Sequence, residues 1–292
     1  MKKGAVLGIF AHPDDESFGP GGTLVRCAHE GLDVHVCTVT DGAAGTTDPD
    51  CWKCLDGYSD LAQRRVEELA CAVDILGGTL HFLGYRDSGM QGSESNFQPE
   101  ALINQPLESV TGRLTELIRQ LRPDVIVTHD ETGGYSHPDH IYVHRAVVEA
   151  FRAAGDPTRF PEQLTGRLAV WSPQALYCHV IPRKYIRYLA LILRLSGQNP
   201  ARFGQNQDID LTRIGQPADQ IHVRVDVRKV LSLKQQASAC HGSQGGGSGL
   251  GLNSGVSLRE RLIVRLRRWF NTREHFQQLH PEPTGRRSGF LF

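Results

Sequence analysis

IFAHPDDESFGPGG, Ile9–Gly22, is the stretch that decides how the rest of the chain is read. The apolar run leading into it, GAVLGIFA (Gly4–Ala11), suits a strand buried on both faces. A histidine and three acids follow at once: His12, Asp14, Asp15 and Glu16. Carboxylates at the end of a buried strand are costly to desolvate unless hydrogen bonds, an ion-pair partner or a bound cation compensates them. GPGG (Gly19–Gly22) then turns the chain into a helical pattern that starts near Gly21 and ends at Gly31.

The same alternation recurs downstream. DVHVCTVTDG is strand-like, and DLAQRRVEELACAVDIL (Asp60–Leu76) has the three- and four-residue apolar spacing of a helix stopped by Gly77 and Gly78. TLHFLGY is a third strand, Ser109–Leu121 a helix, DVIVTHD a fourth strand, and HPDHIYVHRAVVEAFRAAG a long helix with Gly155 as its cap. Four strand–helix alternations predict an α/β fold: a Rossmann-like, mostly parallel sheet with helices on both faces. Sites in such sheets lie at the carboxyl ends of strands. The charged clusters after Ala11, Thr40, Tyr85 and Thr128 all fall there, so the acids lie at the mouth of the sheet and not in its core.

The chain of 292 residues reads as one domain, 1–292, with a C-terminal cap or insertion over 161–222. ALYCHVI and IHVRVDV are further strand candidates, and RKVLSLKQQASACHGSQ a last helix. A glycine-rich flexible loop spans 245–255, and a basic helix and tail follow over 256–292, the helix reading as LRERLIVRLRRWFNTREHF. The 32 basic and 32 acidic residues balance, which argues against a nucleic-acid partner. YLALILRL is too short to span a bilayer, and the N-terminal apolar run ends in acids without a cleavage site. A soluble, cytoplasmic protein with seven reduced cysteines is the expectation. The CxxC pair Cys51 and Cys54 lacks a second pair and reads as a surface loop, and GPGG is no dinucleotide fingerprint.

His12 and Asp15 are three apart, as are His137 and His140 in SHPDH. Side chains at i and i+3 share a face, so each pair can converge on one point. Imidazole and carboxylate suit a borderline divalent ion, zinc first, and catalytic zinc takes three protein ligands and leaves one position open. Each motif alone also reads as a capped helix start. Together, each after a strand of one sheet, they point to a metal. Spacing does not say which of His137 and His140 binds it, nor which of Asp14 and Asp15 is ligand and which is base. His129, His144 and His179 read as structural.

AHPDDE and GGYSHPDH resemble the paired signatures of the LmbE-like, or PIG-L, family of zinc-dependent N-deacetylases, which remove acetyl groups from N-acetylglucosaminyl compounds. RVEELACAVDILGG, HFLGYRDSGM and KQQASACHGSQ extend the similarity, and YRDSGM is like the mycothiol-pathway members, which include a deacetylase and a thiol-conjugate amidase. The resemblance implies one zinc ion per chain, or another divalent metal, on His12, Asp15 and His140. It makes Asp14 the general base and His137 the oxyanion stabiliser or proton donor. Asp139 orients His137, and Tyr135 polarises the acetyl carbonyl. Arg65 and Asp87 match positions that contact sugar hydroxyls, and His241 matches a family position of less defined role. The implied reaction is hydrolysis of the N-acetyl amide of an amino-sugar conjugate, a small molecule, by a monomer or homo-oligomer. The alternatives are an amidase for a larger acyl group on a glucosamine-inositol, and a non-catalytic module that binds sugars or nucleotides.

Overall fold

The computed structural model describes residues 4–47, 58–166, 168–203, 207–246 and 272–289. One eight-stranded sheet runs through it in the order β3-β2-β1-β4-β5-β7-β6-β8. The first five of these are β3 (Thr79–Tyr85), β2 (Asp33–Thr40), β1 (Ala5–Phe10), β4 (Val125–His129) and β5 (Ala175–His179), all parallel. The expected Rossmann-like parallel sheet is therefore present. β7 (Arg273–His280) then runs antiparallel to both β5 and β6 (Val223–Asp226), and β8 (Arg287–Ser288) closes the edge beside β6.

β1 shows why the leading strand is apolar at every position. Val6 and Phe10 face one core with Leu24, Val25, Leu69 and Val73, while Leu7, Ile9 and Ala11 face the other with Val110, Leu114, Val143 and Val147. The first layer belongs to α2 (Gly21–His29), α3 (Leu61–Leu76) and α8 (Leu231–Cys240), the second to α4 (Leu107–Leu121) and α6 (Pro138–Gly155). α3 begins where its sequence says: Asp60 accepts from the Gln63 amide at 2.9 Å, and Gln63 Oε1 accepts from the Ser59 amide at 3.1 Å. It ends at Gly77, left-handed at φ 74°, with Gly78 N–H on Val73 O.

Several expectations are corrected. β5 lies inside 161–222 yet is a sheet strand; what stands off the sheet is α7 (Arg183–Leu195) and the segment after it. There Ile186, Leu193, Leu211 and Ile214 form a small cluster of their own against Tyr135. The helix expected over LRERLIVRLRRWFNTREHF lies largely outside the described residues, and its last four, Arg273–Phe276, are strand. Glu274, His275 and Gln278 are buried there, so polar letters hid a sheet strand. Of the glycine-rich loop, only Gly245 and Gly246 are described, and Cys51 and Cys54 lie outside the described residues. The cysteines are not all thiols: Cys71 of α3 and Cys240 of α8 form a disulfide, Cα to Cα 6.0 Å, while Cys27, Cys37 and Cys178 are free and buried. Helical packing brings together two cysteines 169 positions apart, which composition does not reveal. Among the described residues no helix is long and apolar enough to cross a membrane.

Candidate active site

The two motif segments meet at the mouth of the sheet. His12 follows β1, whose Ala11 O accepts from the Thr40 amide and hydroxyl at 2.8 and 2.9 Å. The chain then turns sharply: Asp14 sits at φ 125°, ψ −28°, just before the short helix α1 (Asp15–Phe18). A non-glycine residue there is strained by about 1–3 kcal/mol and is held by its surroundings. Those surroundings are visible. Glu16 Oε2 accepts from the Asp14 amide at 3.0 Å, and Arg65 Nη2 donates to Asp14 Oδ2 at 3.0 Å and to Pro13 O at 2.6 Å. Arg65 Nη1 adds a bond to Gly42 O at 2.8 Å. Gly42 is required: it lies at φ 68°, and a Cβ there would stand 2.7 Å from the Arg65 guanidinium.

The second segment is built locally. After the turn α5 (Gly133–Ser136), His137 is the N-cap of α6, with Pro138 and Asp139 in the first turn. The cap of this helix start is thus the motif's own His137. Its Nδ1 accepts from the Asp139 amide at 3.2 Å. A neutral imidazole has one lone pair, so the Nε2 of His137 carries the proton. Burial, with His12 and His140 beside it, pushes the His137 imidazole well below its ordinary pKa and keeps it neutral.

Three sets of donors are close enough to hold a metal ion: His12, His137 and His140; Asp15, His129 and His140; and His12, Asp87 and Asp139. Hydrogen bonding narrows them. The lone pair of His137 is taken. His129 Nε2 accepts from the Ala11 amide at 2.9 Å, so its lone pair is taken too, and its ring stacks on His140 at 3.9 Å. Asp139 Oδ2 and Asp87 Oδ1 lie 3.1 and 3.3 Å from His12 Nε2 and orient that ring from behind. The donors left are His12 Nδ1, His140 Nε2 and the Asp15 carboxylate. His12 Nδ1 and His140 Nε2 stand 3.1 Å apart, Asp15 Oδ2 lies 3.5 Å from the first and Asp15 Oδ1 3.4 Å from the second. Ligands on tetrahedral zinc with bonds of about 2.0–2.2 Å stand about 3.3–3.6 Å apart. The residues fit the group. Two imidazole nitrogens 3.1 Å apart need a proton or a cation between them. Burial works against charge on His12, yet the Asp87 charge, with hydrogen bonds that the imidazole donates to the Asp139 and Asp15 carboxylates, outweighs it and raises His12 well above the ordinary value.

Beside this set lies a cavity of about 430 Å³, lined among others by Asp14, Arg65, Asp87, Tyr135 and His137. Burial, opposed by Arg65 and helped by Asp15, raises the Asp14 carboxyl to about 6. Burial works against charge on Asp15 as well, but the facing His140 and His129 rings hold it well below the usual carboxylate range. Tyr135 packs edge-on to His140 at 5.1 Å, and burial pushes its hydroxyl up.

Some expected roles fall elsewhere. The Asp139 carboxylate faces His12 and the Ser88 amide, at 3.1 and 2.9 Å; only its backbone N–H steadies His137. Asp87 is 2 % exposed and accepts from the Gly89 and Ala44 amides at 2.8 and 3.2 Å. His241 does not line the cavity: it is fully buried, its Nε2 2.7 Å from Glu16 Oε1. Glu16, a letter of the motif to which the resemblance gives no role, supports the Asp14 turn. Thr46, Ser93 and Asp208 also line the cavity without a motif to mark them, and so does Gln244, the last residue of KQQASACHGSQ.

A parallel sheet whose strand ends carry an imidazole–carboxylate donor set beside a raised carboxyl has the build of a metal-dependent hydrolase. The family follows from comparison. Residues 7–151 match PIG-L, GlcNAc-PI de-N-acetylase. A 1D-myo-inositol 2-acetamido-2-deoxy-alpha-D-glucopyranoside deacetylase of Thermomonospora curvata is 38 % identical over 246 residues, 82 % of this chain and 80 % of that protein. One of the same name from Thermobifida fusca is 33 % identical over 97 % of this chain and 96 % of its own. The chain belongs to the PIG-L family. The N,N'-diacetylchitobiose deacetylase of Pyrococcus horikoshii shares the fold, with TM-score 0.62 at 22 % identity, covering 96 % of this chain and 87 % of the other.

Proposed function

We propose that this protein is a zinc-dependent N-deacetylase of an N-acetylglucosamine conjugate, with an N-acetylglucosaminyl-inositol as the substrate class. His12, Asp15 and His140 would hold the ion. When bound, it supplies Lewis acidity that makes water a nucleophile at neutral pH.

The chain's own residues divide the remaining work. Asp14 accepts the proton of the attacking water: its carboxyl, raised to about 6, is mostly ionised at neutral pH yet basic enough to serve. Arg65 fixes that carboxylate by one oxygen and leaves the other toward the cavity. His137 presents its Nε2–H to the acyl oxygen as charge develops there, a donor worth about 10²–10³ in rate. Tyr135 stands beside it as a second donor. The amine then leaves with the proton that Asp14 took, and acetate is the other product. Asp139 and Asp87 keep His12 in the tautomer whose Nδ1 is free.

One observation carries this reading: a carboxyl raised to about 6 and a proton-bearing imidazole line one cavity beside the His12, His140 and Asp15 donors, which lie 3.1 to 3.5 Å from one another. The names of the relatives supply the substrate class. The test is acetate release from N-acetylglucosaminyl-inositol by the zinc-loaded protein, beside iron- and cobalt-loaded preparations. Turnover that prefers a larger acyl group, such as a cysteinyl conjugate, replaces the deacetylase reading with the amidase. Absence of hydrolysis with full metal occupancy ends both.

A further inference from the structure

A second cleft, of about 290 Å³, opens where α7 starts, between its first turn and the paired strands β6 and β7. It shares no lining residue with the cavity of the candidate active site. Its floor is apolar: Pro182, Pro217, Ala218 and Ile221. Its rim is cationic: Arg183, Lys184, Arg187 and Arg224, with no carboxylate among the lining residues. In a chain of no net charge this concentration is local.

These cations are not neutralised within the fold. Among the described residues none has an ion pair; Arg183 donates by Nε to Gly215 O at 3.1 Å, and the Lys184 ammonium rests 5.2 Å above the Tyr185 ring. His275 forms part of the wall, opposite Arg224 in the strand register. It is 4 % exposed, and its ring packs edge-on to Tyr185 with centroids 5.4 Å apart. Its surroundings are electropositive: burial first, then His179, Arg224, Lys184 and Arg273, push it down to about 4. The neutral ring offers one N–H donor and one acceptor. The first turn of the 13-residue α7 adds the positive end of a helix dipole.

We propose that this cleft binds a small organic anion: a phosphate, sulfate or carboxylate group on an apolar body, the group against Arg187, Arg224 and Lys184 and the body on the proline–isoleucine floor. An inorganic ion would leave the floor unused, and a neutral apolar ligand would leave four cations unanswered. The site stands whether or not the deacetylase reading does.

Phenyl phosphate, inorganic phosphate and benzyl alcohol serve as probes of the full chain, by calorimetry and by the His275 ring signals. Phenyl phosphate is expected to bind at least tenfold more tightly than either of the others and to move the His275 signals. The exposed-site variants Lys184→Glu and Arg224→Glu are each expected to weaken it by roughly tenfold or more. Acetate release stays unchanged in both, which separates this cleft from phosphate taken up by a metal. Phenyl phosphate binding that survives both reversals overturns the proposal. So does equal affinity for inorganic phosphate or for benzyl alcohol, or His275 signals that stay still at saturation.

Discussion

HPDD and HPDH are nearly the same letters, and the fold holds them by opposite means. His137–His140 is fixed by its own helix: a cap, a proline at the first position, a backbone bond two residues away. His12–Asp15 is fixed from a distance. Its Asp14 keeps φ 125° only because Arg65, 51 positions on, and Glu16, itself bonded to His241 225 positions on, grip it. A helix start is the cheaper way to aim an imidazole. In the proposed mechanism the strained turn places the base, Asp14, one residue before the ligand, Asp15. Their environments separate them: Asp14 is raised to about 6 and Asp15 is held low.

Substituting glycine in each segment sets the two against one another. Asp14→Gly removes the base and should lower turnover by about 10²–10⁴. It also releases the strain, so stability should rise by about 1–3 kcal/mol. In the metal-free protein that gain has a pH signature. The Asp14 carboxyl is raised from 3.8 to about 6 on folding, so its contribution is favourable below pH 3.8 and is lost as pH rises through about 6. The gain from Asp14→Gly is therefore larger at pH 8 than at pH 4. A denaturation series that shows Asp14→Gly less stable than wild type at pH 8 breaks the comparison.

His137→Gly is expected to lower turnover by about 10²–10³ through loss of the oxyanion donor. Stability moves the other way, falling by a few tenths to about 1 kcal/mol, since a relaxed cap has no strain to release. Metal content after dialysis stays at wild-type level. A variant that loses its metal would show that His137 is a ligand.

The same contrast explains what the sequence made legible. The parallel half of the sheet could be read because its central strands β1 and β4 are apolar on both faces and α3 carries its own stop signal, Gly77. The two motifs were readable in the sequence, and it is the resemblance that proposes His12, Asp15 and His140 among them as ligands. What stayed hidden depends on contacts between distant segments. Which histidine Asp139 serves is set by a side chain reaching back across 127 positions to His12. The support of Asp14 by Glu16 and His241 is of that kind, and so is the disulfide. β7 was hidden for a different reason: its buried Glu274 is satisfied by Lys234 and by the Gly22 and Thr23 amides, so a polar strand sits in the sheet without an apolar signature.

A smaller effect separates the supports of the two segments by pH. Arg65 favours the ionised form of Asp14, which burial disfavours. As base, Asp14 must be ionised, so kcat/KM rises with pH through its acid limb. A bound cation moves that limb below about 6. Arg65→Met removes a favourable charge, raises the Asp14 pKa and moves the limb to higher pH, with most of the lost activity recovered in alkali. His137→Gly leaves the limb where it was. An unmoved limb in Arg65→Met would mean that Arg65 positions Asp14 without tuning it.

The weakest perturbation of activity is also the most remote. Cys71 and Cys240 fasten α3 to the end of α8, and those two elements carry Arg65 and lead into His241. The bond therefore braces the grip on the first motif and not the second. Cys71→Ser should cost about 2–5 kcal/mol of stability, because a long loop is opened in the unfolded chain. Turnover at 25 °C should change little, since the Glu68 carboxylate still accepts from the Ser243 amide and hydroxyl at 2.9 and 2.7 Å and keeps the end of α8 in place. On heating, the two motifs should part company. Hydrogen exchange at Asp14 to Ser17 should accelerate before exchange in the first turn of α6, whose cap needs nothing from α3 or α8. Simultaneous loss of protection at both would mean that the two segments open as one unit, and the difference in how they are held would then have no consequence for stability.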